Sequence, residues 1–164
     1  MTVAGVDSVT DKSGSFDLLA KRISKTLKGA EDRNAKLRTV CRLLKHNVRY
    51  YNWVGFYIVY EEKPNELVLG PFDGEPTEHV RIPFGRGICG QAAQLGRRFL
   101  VQDVSREKNY LSCSTKVKSE IVVPIFKNRK VIGELDIDSH AVSPFTEKDE
   151  TFLKKVSEMV SKIF

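Results

Sequence analysis

Cysteine is scarce in this sequence. Its three cysteines, Cys41, Cys89 and Cys113, are an odd number, widely spaced and without a C-x-x-C pair. That excludes a disulfide scaffold and argues against a structural zinc site, which leaves buried thiols or redox chemistry in a cytoplasmic protein. Long apolar runs are missing too: nothing approaches the ~20 consecutive residues of a membrane span. Met1-Thr2-Val3-Ala4 opens without the basic and then apolar region of a secretory leader, so a soluble, cytoplasmic chain is expected. A disorder-prone composition is absent as well. Hydrophobic residues make up 41% and charged residues 29%, enough apolar material for a packed core, and 164 residues suit one domain.

Nor is there an even coat of positive charge. The net charge is +6, yet residues 1–49 hold 11 Lys and Arg against 5 Asp and Glu, and the remainder balances at 16 and 16. A nucleic-acid reading would have to rest on that first segment alone, with an affinity that falls as salt rises. No specific nucleic-acid partner is expected.

Residues 1–14 read as a flexible N-terminus and 15–164 as the domain. Phe16, Leu19, Ala20, Ile23 and Leu27 recur at helical spacing, with Ser15 placed to cap, and Leu37, Val40, Cys41, Leu44 and Val48 repeat the stripe in a second helix. Cys41 therefore belongs to the core. From Trp53 to Tyr60 the residues are aromatic and β-branched, as a strand requires. Lys63-Pro64-Asn65 reads as a turn into a second strand over 66–70, and 79–83 reads as a third. A Gly-rich turn leads into a short helix over 88–95, followed by an extended piece at 99–101 and a long polar loop over 102–118. Two strands, 119–127 and 130–139, form a hairpin around Asn128-Arg129. Thr146 and Asp149 resemble a capping box before a closing amphipathic helix. Hairpins dominate, so the expected fold is α+β, a central antiparallel sheet with helices packed mainly on one face.

Gly85-Arg86-Gly87-Ile88-Cys89-Gly90 spells G-x-G-x-x-G, but a dinucleotide site also needs a parallel βαβ unit and a downstream acid. The glycines are better read as a tight turn that presents Cys89 at a helix start, where unpaired N–H groups favour a thiolate. Cys113 lies in a polar loop with no periodicity to bury it, near Lys116 and Lys118. Glu134, Asp136 and Asp138 alternate with Leu135 and Ile137 and share one strand face. Such a face is commonly just solvated. Here the neighbouring strand opens at Glu120, and crowded carboxylates would keep a proton available near neutral pH. The cluster would equally suit a substrate ammonium or, less well, a divalent cation. Trp53 and Tyr57, four apart on a strand, face one side as core packing or as the wall of a ligand pocket. His46 and His140 show no ligand spacing.

Taken in order, Asn52-Trp53-Val54-Gly55-Phe56-Tyr57, Leu69-Gly70-Pro71-Phe72, Arg81-Ile82-Pro83-Phe84-Gly85-Arg86-Gly87-Ile88-Cys89-Gly90, Ser119-Glu120-Ile121-Val122-Val123-Pro124 and Leu135-Asp136-Ile137-Asp138-Ser139 resemble the free methionine-(R)-sulfoxide reductases, single GAF-domain enzymes. The resemblance runs from about Leu37 to the C-terminus. It implies a GAF fold and thioredoxin-linked reduction of free L-methionine (R)-sulfoxide, with no metal or organic cofactor and a homodimer left open. It matches Cys113 and Cys89 to reactive family cysteines, Glu120, Asp136 and Asp138 to catalytic and substrate-binding carboxylates, and Trp53 and Tyr57 to an aromatic pocket. One departure stands out: many members carry a further cysteine where this chain has His79.

The implied chemistry has Cys113 attack the sulfoxide sulfur, a carboxylic acid protonate the oxygen, and Cys89 resolve the sulfenic acid to a disulfide. The reverse assignment of the two thiols stays open. A non-catalytic GAF sensor of a small molecule or of redox state is the alternative.

Overall fold

The two apolar stripes at the start of the chain do form helices. In the computed structural model, which describes residues 12–111 and 114–164, α1 spans Lys12–Leu27 and α2 spans Arg33–Asn47. Helix α1 buries Phe16, Leu19, Ala20, Ile23 and Leu27, and α2 buries Leu37, Val40, Cys41 and Leu44. The Asp32 carboxylate caps α2 by accepting from the Ala35 N–H at 3.0 Å. Ser15, in contrast, does not cap α1; it is buried inside the helix, and Lys12 is already helical. Residues 12–14 therefore belong to α1 and not to a flexible N-terminus. Residues 1–11 lie outside the described residues.

The remaining elements are β1 (Trp53–Tyr60), β2 (Lys63–Asp73), β3 (Arg81–Pro83), α3 (Gly87–Leu95), β4 (Phe99–Val101), a single 3₁₀ turn at Val104–Arg106, β5 (Ser119–Lys127), β6 (Lys130–Ser139) and α4 (Glu147–Ser161). The first hairpin turns at Glu61-Glu62, two residues earlier than the Pro64 signal suggests, because Lys63 already pairs with Tyr60. Pro64 is tolerated there because the β1–β2 ladder is irregular at its end. The second hairpin turns at Asn128-Arg129 as expected. Both residues have positive φ (51° and 65°), as a two-residue turn of type I′ demands.

The six strands lie in the order β3-β2-β1-β6-β5-β4, and every neighbouring pair is antiparallel. Alternation then sorts residues between two faces. Val54 and Phe56 of β1, Ile121, Val123 and Ile125 of β5, and Leu135 and Ile137 of β6 pack against α1, α2 and α4 in the main core. Trp53, Tyr57, Leu67, Ile82 and Val122 point to the other face, which is covered by Ile88, Cys89, Ala92 and Ala93 of α3. The expected α+β architecture is thus present, with three helices on one side and one short helix on the other.

The N- and C-terminal helices are joined by one buried charge. Asp149 caps α4 with Thr146 in a capping box and also accepts from Lys12 Nζ (2.8 Å), Tyr50 Oη (2.6 Å) and Tyr51 Oη (2.8 Å). Lys12 and Asp149 are 3% and 0% exposed, and Phe16 stacks on Phe152 one turn further along, with centroids 4.3 Å apart. Burial and the Asp149 carboxylate hold both tyrosines protonated by raising their pKa values. Removing one side of a buried pair costs ~3 kcal/mol or more. Asp149→Asn should therefore lower unfolding stability by about that amount in a urea titration, whereas an exposed control, Glu61→Gln, should stay within ~0.5 kcal/mol of wild type.

Candidate active site

Strand register brings the polar residues together on the α3 face. In the β5–β6 ladder Glu120 pairs with Asp138 and Val122 with Asp136. In the β1–β6 ladder Trp53 pairs with Asp138, Gly55 with Asp136 and Tyr57 with Glu134. Trp53, Gly55, Tyr57, Glu120, Glu134, Asp136 and Asp138 therefore share one side of three adjacent strands. A Cβ at Gly55 would lie 2.3 Å from the Trp53 indole, so glycine is needed for the ring to fold down onto the sheet. The indole stacks on Phe72 (5.4 Å) and Tyr57 (6.4 Å), and its N–H donates to the Glu75 carbonyl at 3.0 Å.

Helix α3 supplies the thiol. Gly85 and Gly87 take positive φ (87° and 64°), and a Cβ on Gly90 would sit 2.5 Å from the Pro83 carbonyl, so the turn into α3 depends on these glycines. No parallel βαβ unit exists among the described residues, so the G-x-G-x-x-G string forms a turn and not a dinucleotide fingerprint. Cys89, the third residue of α3, points at the sheet. Its Sγ donates to Glu120 Oε1 at 3.6 Å, and it is 5% exposed.

This setting reverses one expectation. A helix start favours a thiolate, yet the Cys89 pKa is pushed well up, first by burial and then by the negative fields of Asp136, Glu134 and Glu120. Three facing acids outweigh one short helix dipole. The carboxyls are raised too. Burial pushes up Glu120, with Asp136 and Asp138 adding to the effect, and burial likewise raises Glu134. Burial raises Asp136 as well, but less, to about 6, because the Glu120 acid favours its charged form and the nearby Cys89 thiol acts in the same direction. The pair is therefore unequal: Glu120 keeps its proton and directs it at Asp136. Cys41 has no such company. It is fully buried under β2, donates to the Pro71 carbonyl at 3.5 Å, and has its pKa raised mainly by burial, as a core thiol should.

A cavity of about 10 Å³, the space of a single water, opens between α3 and the sheet. Tyr57, Cys89, Glu120, Asp136, His79 and Leu111 are among the residues that line it. Trp53 and Asp138 are buried behind this lining, Trp53 against Tyr57 and Asp138 beside Glu120. Leu111 closes the top, packed on Gly87, and Asn109 fastens the same loop to α3 by accepting from the Gly87 N–H (2.8 Å) and donating to the Gly85 carbonyl (2.9 Å). Cys113 lies outside the described residues.

Two participants escape sequence reasoning. Glu134 is visible in the alternation of β6, but its closeness to the thiol follows only from the docking of α3. Its side chain is fully buried, and neither oxygen accepts a hydrogen bond of good geometry, although the Cys89 thiol is near enough to affect its protonation. Leu111 carries no local signal at all. His79, noted in the sequence only as a departure, lines the cavity, and its carbonyl accepts from the Tyr57 hydroxyl at 2.9 Å.

An antiparallel sheet with a helical layer on one face and a small polar cavity under a short helix on the other fits the plan of a GAF domain, and residues 32–164 match the GAF domain family. Protein YtsP of Bacillus subtilis is 40% identical over 93% of this chain and 92% of its own length. The free methionine-R-sulfoxide reductase of Escherichia coli is 36% identical over 79% of this chain and 76% of its own. The crystal structure of the Neisseria meningitidis free methionine-R-sulfoxide reductase in complex with its substrate superposes with a TM-score of 0.88 at 36% identity, covering 99% of this chain and 95% of that one. The chain belongs to the GAF-domain family and, within it, to the free methionine-(R)-sulfoxide reductases. Among the described residues, no helix is long and apolar enough to cross a membrane.

Proposed function

We propose that this protein reduces free L-methionine (R)-sulfoxide to L-methionine. The observation that carries the reading is a thiol, Cys89, buried 3.6 Å from the Glu120 carboxyl within a group of further acids. Such a group suits a small zwitterion whose sulfur must meet a thiol and whose oxygen must take up a proton. The similarity to reductases that carry this name adds the substrate.

Cys113 is the nucleophile in this reading. It follows Leu111 of the cavity lining by two residues, a chain span of at most ~7 Å. Its sulfur attacks the sulfoxide sulfur while Glu120, poised against Asp136, passes a proton to the oxygen. Without that proton the S–O bond would have to break onto an oxide anion. The protonated oxygen passes to the Cys113 sulfur as the substrate S–O bond and the new S–S bond break, so methionine departs with the sulfur electron pair and Cys113 holds a sulfenic acid. Cys89, protonated at rest, then forms the disulfide with Cys113, and the sulfenic oxygen leaves as water with the thiol's proton. Thioredoxin restores both thiols by exchange, so no organic cofactor takes part. The acidic face, Asp138 included, holds the substrate ammonium. Tyr57 bounds the methyl end and Trp53 holds Tyr57 in place.

The assay that tests this supplies thioredoxin and its reductase with free methionine (R)-sulfoxide or (S)-sulfoxide, and follows reductant consumption. Turnover of the R form alone is the expected result. No turnover of either by reduced, folded protein would overturn the reading in favour of a non-catalytic sensor.

A further inference from the structure

The donors of the reactive face are also ones that a soft cation could use. Cys89 Sγ and one carboxylate oxygen each from Glu120 and Asp136 lie within 4.8 Å of one another, and the thiol–Glu120 edge is 3.6 Å. In a tetrahedral zinc site, bonds of about 2.0–2.3 Å place donors about 3.3–3.8 Å apart. One edge of the triangle already has that length, and the others need a closure of about 1.5 Å at most. The three side chains are 5%, 5% and 1% exposed. Asp136 lines the cavity, and its Oδ1 is buried with no hydrogen-bond partner among the described residues. Both Glu134 oxygens are likewise without a well-formed hydrogen bond. A buried acceptor oxygen without a hydrogen bond, on a residue that lines a cavity beside a thiol, is what a cation would satisfy.

We propose that the reduced protein binds one thiophilic divalent cation, with zinc as the type, through Cys89, Glu120 and Asp136, leaving a fourth position open to water. Sulfur in the set selects zinc or cadmium over magnesium and calcium, which require six or more oxygens. Binding is not a redox step. The cation forms its bond to Cys89 sulfur as the thiol proton, and the carboxyl proton of Glu120, pass to solvent. Glu134, immediately behind the thiol, adds negative field as an outer partner. A bound cation would block both disulfide formation by Cys89 and proton delivery by Glu120. This consequence rests on the proposed reductase reading, whereas the binding itself does not.

The test titrates the reduced full-length protein with cadmium, read by the ultraviolet thiolate-to-cadmium charge-transfer band, and then with zinc by competition against a chromophoric chelator. One equivalent should bind in wild type and in Cys113→Ser. In Cys89→Ser the band should vanish and zinc affinity should fall ~100-fold or more, and in Asp136→Asn affinity should fall at least ~10-fold. A band that survives Cys89→Ser, affinity unchanged by Asp136→Asn, or no binding by wild type would overturn the proposal. Parallel assays of methionine sulfoxide turnover separate the two readings: an active enzyme without the band contradicts the metal site only, and an inactive protein with the band contradicts the reductase only.

Discussion

Cys113→Ser is expected to lower turnover of free methionine (R)-sulfoxide by at least ~10³-fold, whereas Cys89→Ser should complete one turnover per site and then stop. The asymmetry follows from where the thiols sit. Cys89 is buried and faces Glu120, Glu134 and Asp136, which hold it as a neutral thiol, a poor nucleophile toward substrate. It becomes useful once a sulfenic acid exists, because condensation to a disulfide consumes a thiol and releases water. Without Cys89 the first step still delivers methionine, but the oxidised Cys113 persists. Rapid-mix measurement of methionine formed per protein, with a sulfenic-acid trap on the residue left behind, checks both halves. One equivalent of methionine from Cys113→Ser with none from Cys89→Ser would exchange the roles.

The second large effect concerns the proton. Glu120→Gln keeps the shape and burial of the side chain but removes the acidic hydrogen directed at Asp136. General acid catalysis contributes ~10²–10⁴-fold, and a loss in that range is expected in the single-turnover rate constant. Because the change falls on the sulfoxide-reducing step, it should appear in that step and leave disulfide reduction by thioredoxin within about twofold of wild type. Asp136→Asn removes the acceptor that orients Glu120 and should slow the same step, with a further rise in KM from the lost negative charge. If Glu120→Gln and wild type reduce substrate at the same single-turnover rate, Glu120 is not the acid.

Much of this was readable in advance because it depends on alternation. Leu135 and Ile137 had to enter a core, so Glu134, Asp136 and Asp138 had to share the opposite face, and the hairpin at Asn128-Arg129 fixed Glu120 beside Asp138. What the sequence did not reveal lies in contacts between distant segments. Lys12 looks like the end of a polar tail, yet it is helical because Asp149, 137 residues away, needs a buried cation. The protonated state of Cys89 depends on Glu120, 31 residues on, and on β6 beyond it, so the start of α3 alone predicts the wrong sign. Trp53 and Tyr57 share a face as their spacing requires, but only the docking of α3 and of Leu111 decides that Tyr57 meets the cavity and Trp53 supports it.

The narrowness of the cavity has a mechanical consequence. About 10 Å³ admits a water and not an amino acid, so on the proposed reading Leu111 shifts before substrate enters. Among the described residues, Asn109 fastens this loop to Gly85 and Gly87 and accepts from the Gln91 amide at 3.2 Å. Small local openings of that kind cost far less than unfolding.

The central claim is that the oxygen removed from the substrate is exchanged for one particular disulfide. Reduced protein treated with one equivalent of free methionine (R)-sulfoxide, quenched with an alkylating agent and mapped by peptide mass spectrometry, tests it most directly. The account predicts a Cys89–Cys113 disulfide in stoichiometric yield with Cys41 alkylated after unfolding. Methionine produced with all three cysteines still reduced, or with Cys41 in the disulfide, would contradict it.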